Sequence, residues 1–453
     1  MTRVERSIGA WSARSRTGSL SNAVEIVDPH VASTLGTRQE RKVSARNSWP
    51  VFLFVIGLLV PWLIFIGPLR LSVYRMVLLV MLVPCLFTWI SGRAGQIRLA
   101  DIALTMFAAW TAISLVVVHG FSTALQPAGI GLVETMGAYL LARCYVRNAE
   151  DFRNVIQLLF RTVLFLMPFT IVEFLSGYNI LRTMLGLILP TGDYVPINRS
   201  GFTRVSSVFE HAILYGTYTG SIFGPVYLTL CYQKTFGHRI VKSSVVVLAT
   251  LMSLSSGPIG SMMMQIFLIA WRTVLRGVRV RWTLFFGLLL WVVVVLEVAA
   301  KRSALTIITS SFMFDPQTYW YRTLIWTYGS QAALNHPLFG SGLNDWDRPT
   351  WMPSDTIDNF WLIQAVRFGL PAAFLLLLAF LSIVLRVGFA KDLDKEVAES
   401  RMSFMTMMVF LFLTGCTVDF WNATYVLFFF LMGSGLWILD AKGTHREPTG
   451  VQP

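Results

Sequence analysis

Four ionisable side chains lie between residues 199 and 211, at the end of a polar segment, 177–211, that directly precedes an apolar run. They are Arg199, Arg204, Glu210 and His211. If the apolar run crosses a membrane, the last three lie at its interface, where ionisable groups pair with one another or mark a substrate path. For Arg204 an anion-binding role is favoured over a pair with Glu210. For Glu210 and His211 a structural pair and a functional role are equally open.

A second polar segment, 301–366, contains an arginine among aromatic side chains. Asp315 followed by Pro316 has the pattern of an N-cap and a first helical residue, so we expect a helix to begin there. Arg322 and Trp326, four residues apart, would share one face of this helix. An amphipathic helix on the membrane surface would account for the tryptophan, but not for the arginine.

A turn-rich stretch follows this helix. His336 precedes Pro337, and nearby glycines predict close backbone packing or positive φ, so we interpret His336 first as a turn residue. Asn344, Asp345 and Asp347 offer oxygen ligands, but their spacing matches no cation-binding loop. We therefore predict no metal site here.

The second segment closes with Asp358 and Asn359, just before Phe360 and Trp361. The neighbouring rings would limit hydration of the Asp358 carboxylate and raise its pKa toward the range of a general base. A carboxylate near the start of a helix can also be only a cap. The residues alone support a base and a cap equally.

The elements that position these segments are predicted to be membrane-spanning helices. Of the 453 residues 55% are hydrophobic and 13% are charged, against about a quarter charged in an ordinary soluble domain. Apolar runs long enough to cross a hydrocarbon core recur along the chain. This composition excludes a soluble globule and predicts an all-α, polytopic membrane protein.

Twelve apolar windows are candidate spans. They lie near residues 50–68, 71–91, 100–119, 123–142, 154–176, 212–232, 241–255, 257–275, 282–300, 367–388, 402–418 and 420–440, with a turn at Gly257-Pro258. The predicted organisation is a disordered basic tail over 1–49, nine spans over 50–300, a large loop with short helices over 301–366, three spans over 367–440, and a tail over 441–453.

The charge distribution predicts the orientation. Most of the 37 Lys and Arg fall on the side that holds both termini, which places the termini in the cytoplasm and the two polar segments on the opposite face. The clusters of basic residues are then explained by the orientation of the chain in the membrane. The net charge of +13 therefore does not indicate a nucleic acid as partner. The four cysteines have no paired spacing and predict neither a disulfide framework nor a metal knuckle.

Five short motifs occur together in this framework. They are Arg204-Val-Ser-Ser-Val-Phe-Glu210-His211, Ser255-Ser256-Gly257-Pro258, Arg322 four residues before Trp326, His336-Pro337-Leu338-Phe339-Gly340-Ser341-Gly342, and Asp358-Asn359-Phe360-Trp361-Leu362. Over roughly 50–440 the chain thereby resembles the O-antigen ligase and polymerase superfamily, in particular its exopolysaccharide-polymerase branch. The resemblance implies a helical bundle with a large outer loop late in the chain.

The resemblance also implies an enzyme of the bacterial inner membrane that acts at the periplasmic face. Its reaction joins a glycan carried on undecaprenyl diphosphate to an acceptor hydroxyl, without a metal or another cofactor. Arg204 and Arg322 would hold the diphosphate and Asp358 would activate the acceptor. Substrate-binding roles are expected for Arg199, Glu210, His211, Trp326, His336 and Asn359.

Two positions depart from the family's pattern. Members often have Ser-Arg-Gly where this chain has Ser255-Ser256-Gly257, so one expected cation is missing there. Ligases of the family commonly have His-Asn where this chain has Asp358-Asn359. The second departure favours a polymerase of lipid-linked repeat units over a ligase.

The implied partners are the undecaprenyl-diphosphate-linked donor and acceptor, membrane lipids, and a flippase, a chain-length regulator or export proteins. An O-antigen ligase is the first alternative function. A lipid-linked oligosaccharide transporter is the second, and it would have related halves or ionisable groups near the membrane midplane. The sequence has no internal repeat, and only Glu134 and Arg161 are predicted to lie deep, so we favour an enzyme.

Overall fold

The computed structural model describes most of the chain between residues 49 and 441. The described residues are 49–67, 69–192, 194, 196–199, 201–299, 316–352 and 354–441. The predicted tails over 1–49 and 441–453 lie outside them except for Trp49 and Ala441. The first part of the large loop, 301–315, with the predicted N-cap Asp315, also lies outside the described residues.

Helices make up most of the described structure, which confirms the all-α prediction. The first helices are α1 Trp49–Leu58, α2 Val73–Ile90, α3 Leu99–His119, α4 Phe121–Leu132, α5 Ala138–Tyr145 and α6 Ala149–Ser176. A π-helical turn, Val133–Gly137, joins α4 to α5. A two-stranded hairpin, β1 Ile64–Ile66 and β2 Leu69–Leu71, lies between α1 and α2.

The second part of the chain adds the helices that surround the polar segments. They are α7 Ile180–Gly186, α8 Ala212–Ser221, α9 Phe223–Pro225, α10 Phe236–Met252, α11 Ser256–Val274, α12 Arg281–Ala299, α13 Pro316–Asn335, α14 Phe360–Phe368, α15 Leu370–Gly388, α16 Lys395–Gly415, α17 Ala423–Gly433 and α18 Trp437–Asp440. A π-helical turn, Val226–Leu230, follows α9. A second hairpin, β3 Asn198–Arg199 and β4 Phe202–Thr203, lies between α7 and α8.

Within the described residues, seven helices are long and apolar enough to cross a membrane. They are Val73–Ile90, Leu99–His119, Ala149–Ser176, Arg281–Val298, Leu370–Gly388, Lys395–Gly415 and Ala423–Asp440. These helices are those of a membrane-embedded protein. Each of the twelve predicted windows overlaps a helix. The described helices of the remaining windows are either too short or not apolar enough by the same measure, so the number of twelve spans stays a prediction.

The core of the bundle is built around α17. Its residues 426–432 are all buried, and the rings of Phe428, Phe429 and Phe430 pack against Phe360, Tyr425 and Phe54. A helix that is apolar all round is buried on every side. The position of α17 fixes the loop that precedes it, which forms part of the site described below.

The turn between α10 and α11 differs slightly from the prediction. Gly257 and Pro258 were predicted to form it, but they lie in the first turn of α11, which begins at Ser256. Proline is tolerated there because the first amides of a helix have no partner within the helix. Residues 253–255 form the turn instead, and Ser255 lines the cavity described below.

The large loop contains helices, as predicted. Helix α13 begins at Pro316, and α14 begins at Phe360, before the predicted end of the loop at residue 366. Gly369, at φ +85°, separates α14 from α15, and a Cβ there would lie 2.0 Å from the carbonyl oxygen of Leu338. At Gly340, where φ is +64°, a Cβ would lie 2.4 Å from the carbonyl carbon of Arg367. The predicted close packing of this glycine-containing stretch is confirmed.

Candidate functional site

A cavity of about 200 Å³ lies at the end of the bundle where α10 ends and α11 begins. We call it the cation cavity because three arginines contribute to its wall: Arg199, Arg204 and Arg322. Asp358 and His211 complete its ionisable lining. The structure thus brings together five residues that are separated by up to 159 positions in the sequence.

Arg204 is fixed by the backbone around it. The amide of Val205 donates to the carbonyl oxygen of Met252 at 3.1 Å, which ties this segment to the end of α10. The Arg204 side chain donates from Nη2 to Ser255 Oγ at 2.8 Å and from Nε to the Ser253 carbonyl at 3.3 Å. These contacts hold the guanidinium at the cavity wall, and the pair with Glu210 considered from the sequence does not form.

The other cations strengthen the positive field at Arg204. Burial, with Arg199 and Arg322 nearby, lowers the pKa of Arg204 to about 10. Arg204 is nevertheless cationic at neutral pH. Three neighbouring guanidinium groups repel one another in this partly dehydrated site, so a bound anion would relieve the repulsion.

Arg322 projects from α13 and is only 8% exposed. Its Nε and Nη1 atoms have no hydrogen-bond partner within the described part of the chain. Burial lowers the pKa of Arg322, an effect that Asp358 opposes and Arg199 reinforces. Buried donors without a partner are costly, and at a cavity wall they are available to a ligand that can accept two hydrogen bonds.

His211 adds an uncharged donor to the cavity. Its Nδ1 atom accepts a hydrogen bond from the amide of Ile213 at 3.1 Å, so the neutral ring carries its hydrogen on Nε2. Burial and the nearby charge of Arg204 lower the pKa of His211 to about 4. At neutral pH this histidine can donate a hydrogen bond but adds no charge.

Asp358 is the acidic residue of the cavity wall. It is half-buried, and burial raises the pKa of its carboxyl group, whereas Arg322 opposes that shift. Asn359, next to it, caps α14 by accepting hydrogen bonds from the amides of Trp361 and Leu362. The cap of α14 is therefore Asn359, which leaves the Asp358 carboxylate free of that role.

The start of α11 forms another part of the wall, through Ser255, Ser256 and Gly257. The N-terminus of a helix carries partial positive charge and amides without helical partners, which favour an anion. Arg199, whose Nη1 donates to the Leu254 carbonyl at 2.9 Å, brings a third guanidinium to the same wall.

An apolar groove of about 640 Å³ lies beside the cation cavity. Its apolar wall consists of side chains from α6, the end of α10, the turn that follows it and the start of α11: Ile171, Phe174, Leu175, Leu248, Leu251, Met252, Leu254 and Ile259. Arg199 lines both spaces and is the charged residue of the groove. A charged cavity and an apolar groove therefore meet at Arg199.

Glu210 does not face the cation cavity. Its carboxylate accepts hydrogen bonds from Trp421 Nε1 at 3.0 Å and Asn422 Nδ2 at 2.7 Å, and it lies 3.9 Å from Arg70. Glu210, Asn422 and Arg70 border a separate cavity of about 40 Å³, which Arg75 also lines. Glu210 instead holds the start of α17 in place.

Three other predicted site residues also lie outside the cavity lining. Trp326 is 41% exposed on α13, and His336 is exposed with its Nε2 atom 3.2 Å from Asp347. The side chain of Asn359 is fully used, because Nδ2 donates to the Cys416 carbonyl at 3.0 Å while its oxygen caps α14. None of these three residues therefore lines the cavity.

The sequence reasoning missed Asp419. This carboxylate lies in the loop between α16 and α17, directly after Val418 of the cavity wall. The signal was present, because a lone carboxylate between two strongly apolar stretches is costly without a purpose. The predicted spans 402–418 and 420–440 left it between them.

Comparisons with protein-family models and with curated proteins give no relative for this chain. No protein-family model matches it, and no curated protein matches it. Any assignment of function therefore rests on the residues and the geometry of the cation cavity and the apolar groove.

Proposed function

We propose that this protein is an inner-membrane glycosyltransferase that polymerises oligosaccharide repeat units carried on undecaprenyl diphosphate. The product would be a surface or secreted polysaccharide made at the periplasmic face. Donor and acceptor would both be lipid-linked glycans, and the export partners would be those of a polymer pathway. The motif resemblance and the site geometry support the same substrate class.

The observation that carries the proposal is the junction of the cation cavity and the apolar groove at Arg199. A ligand that fills both must be anionic at one end and apolar along a considerable length at the other. A lipid diphosphate has both properties, whereas a nucleotide sugar has no apolar chain. The unpartnered donors of Arg322 and the helix N-terminus at Ser256 suit phosphate oxygens.

In the proposed reaction, the bond between the donor's anomeric carbon and a diphosphate oxygen breaks as the acceptor oxygen bonds to that carbon. Negative charge increases on the departing diphosphate, and the fixed guanidinium groups of Arg204 and Arg322 stabilise it. Asp358 takes the proton of the acceptor hydroxyl. Its pKa is raised by burial, which makes the carboxylate a better base than an exposed aspartate.

The proposed orientation follows from charge. With both termini in the cytoplasm and twelve spans, the segments that form the cavity all belong to the periplasmic side. Undecaprenyl diphosphate would then approach from the membrane through the groove, while the acceptor sugar enters from the aqueous side. An enzyme of this kind needs no nucleotide, because its substrate is already activated by the diphosphate.

The test is chain elongation by the purified protein in nanodiscs, supplied with a single repeat unit on undecaprenyl diphosphate. Products with several repeats are expected from the wild type. Asp358→Asn should reduce the rate by about a hundred- to ten-thousand-fold, whereas the exposed neighbour Asp355→Asn should leave it unchanged. In a parallel reaction a lipid A core acceptor is added; transfer only to that acceptor would indicate a ligase, and no transfer by the wild type in either reaction would contradict both assignments.

A further inference from the structure

The turn between α10 and α11 holds two arginines of the cation cavity. Arg204 donates to the carbonyl oxygen of Ser253 at 3.3 Å and to Ser255 Oγ at 2.8 Å. Arg199 donates from Nη1 to the carbonyl oxygen of Leu254, the residue between these serines, at 2.9 Å. Ser255 Oγ also donates to the Ser253 carbonyl at 2.9 Å, which closes the turn. The positions of both guanidinium groups therefore depend on the conformation of this turn.

The side chain of Leu254 belongs to the wall of the apolar groove. It is half-buried, whereas its neighbours Ser253 and Ser255 are buried. Leu254 thus offers its side chain to the groove and its carbonyl oxygen to Arg199, which lines both the groove and the cavity. An apolar chain in the groove would contact the residue whose backbone holds an arginine of the cavity.

The backbone of Leu254 is strained. Its φ is +44°, in the left-handed region that a bulky side chain rarely adopts. Such a conformation costs free energy and persists only where its surroundings hold it. The hydrogen bonds of the turn offset this cost from the side of the cavity. An apolar chain packed on the Leu254 side chain would offset it from the side of the groove.

We propose, on the basis of the function proposed above, that Leu254 is the residue through which the lipid chain of the substrate positions Arg199 and Arg204. Without lipid, the turn exchanges between the strained conformation and a relaxed one that no longer holds the two arginines. A polyprenyl chain in the groove favours the strained conformation. Leu254 is thus a specificity-determining residue, which favours a lipid-linked diphosphate over a diphosphate in solution.

The preference follows from linkage between the two parts of the ligand. The chain binds the conformation in which Leu254 faces the groove, and the diphosphate binds the conformation in which the arginines are held at the cavity wall. Because these are one conformation, each part of the ligand favours the binding of the other. A diphosphate without a chain must offset the strain by itself, so its apparent affinity is reduced by the fraction of the protein in the competent conformation.

The variant Leu254→Gly separates the two effects. Glycine adopts positive φ without strain and keeps the backbone carbonyl, but it has no side chain in the groove. Equilibrium binding of inorganic pyrophosphate and of undecaprenyl diphosphate is measured with the full-length protein in nanodiscs. Leu254→Gly should bind pyrophosphate about fivefold more tightly than the wild type does, because the turn is no longer strained.

The lipid-linked ligand should respond differently. Leu254→Gly should bind undecaprenyl diphosphate no more tightly than the wild type does, because the chain has lost its contact with the Leu254 side chain. The preference for the lipid-linked diphosphate over pyrophosphate should therefore fall by about fivefold or more. Gln233→Gly is the matched control, since Gln233 also has positive φ, +57°, but lines neither the cavity nor the groove. It should leave both affinities unchanged.

Three results would overturn the inference. Unchanged pyrophosphate affinity in Leu254→Gly would show that the turn does not control the arginines. Weaker binding of both ligands would show that Leu254 is needed only for the structure of the site. Equally tightened pyrophosphate binding in Gln233→Gly would assign the effect to a general relief of strain. If Leu254→Gly does not fold, Leu254→Asn takes its place, because asparagine also tolerates positive φ, and its pyrophosphate affinity should increase as well.

Chain elongation, measured on the same preparations, distinguishes this inference from the proposed function. Elongation by the wild type together with unchanged pyrophosphate affinity in Leu254→Gly would refute the role of Leu254 and leave the proposed function intact. Tighter pyrophosphate binding and a reduced lipid preference in Leu254→Gly, without elongation by the wild type, would support the role of Leu254 in lipid-diphosphate binding and contradict the polymerase.

Discussion

Arg204 and Arg322 are equally buried, at 8% exposure each, but their donors are used differently. Arg204 donates to Ser253 and Ser255, whereas Nε and Nη1 of Arg322 have no partner within the described residues. A buried donor without a partner costs roughly 1–3 kcal/mol. Arg322→Met should therefore increase the free energy of unfolding by about that amount, and Arg204→Met should decrease it.

The assay is thermal unfolding of the purified full-length protein in detergent, followed by the fluorescence of its 15 Trp. Measurements are made with and without inorganic pyrophosphate, the probe for the diphosphate site. At a hundred times its Kd, pyrophosphate would stabilise the wild type by about 2.7 kcal/mol. Arg322→Met should lose this stabilisation although it is the more stable protein.

The Arg322→Met variant has a second effect, on Asp358, which a double variant controls for. Removing Arg322 also removes the positive neighbour of Asp358, so part of any destabilisation could come from that carboxylate. The double variant Arg322→Met with Asp358→Asn eliminates this contribution. The reasoning is refuted if Arg322→Met is as destabilising as Arg204→Met in both backgrounds, or if pyrophosphate stabilises it as strongly as the wild type.

Three further outcomes follow from individual contacts. The pKa of His211 is about 4 in the folded state, against a usual 6.5, so the folded state binds a proton at this residue less readily than the unfolded state does. The free energy of unfolding should therefore fall as pH is lowered from 6.5 toward 4. His211→Gln should weaken that dependence in acid-unfolding curves. Asn359→Ala removes the cap of α14 and the bond to the Cys416 carbonyl, and should lower the unfolding free energy by about 1–2 kcal/mol in denaturant titrations; Asn359→Asp should retain the cap. Gly369→Ala would place a Cβ 2.0 Å from the Leu338 carbonyl and should greatly reduce the yield of folded protein in size-exclusion chromatography, in contrast to Gly287→Ala, where the space is open.

The helices and three residues of the cation cavity could be predicted because their signals are local. Apolar runs determine where helices form in a membrane protein, and Pro316 marks the start of α13. Arg204, Arg322 and Asp358 were identified by residue type, because a charged group beside a membrane-spanning run is energetically costly unless it has a partner or a function. The structure places all three at one cavity.

Other features depend on contacts between distant segments, which no local pattern contains. Glu210 and His211 are neighbours in sequence, but the backbone at His211 is extended, at φ −145° and ψ 148°, so consecutive side chains point in opposite directions. His211 therefore faces the cation cavity, while Glu210 faces Trp421 and Asn422.

The positions of Arg199 and Asn359 also depend on contacts between distant segments, which their local sequence does not contain. The hairpin β3–β4 brings Arg199 to the junction of the cavity and the groove, a position that depends on how α6, α10 and α11 pack. Asn359 was predicted to bind substrate from its place beside Asp358. Its amide instead caps α14 and binds the Cys416 carbonyl, because a buried amide must satisfy both its oxygen and its nitrogen.

The central claim is that the cation cavity and the apolar groove together hold a lipid diphosphate. The direct measurement is equilibrium binding of undecaprenyl diphosphate to the purified protein in nanodiscs, with undecaprenol as the lipid without phosphate. We predict saturable binding of the diphosphate alone, weakened at high salt and lost when Arg199, Arg204 and Arg322 are all replaced by Gln in a variant that stays folded. Equal binding of undecaprenol, or full binding by the triple variant, would contradict the claim.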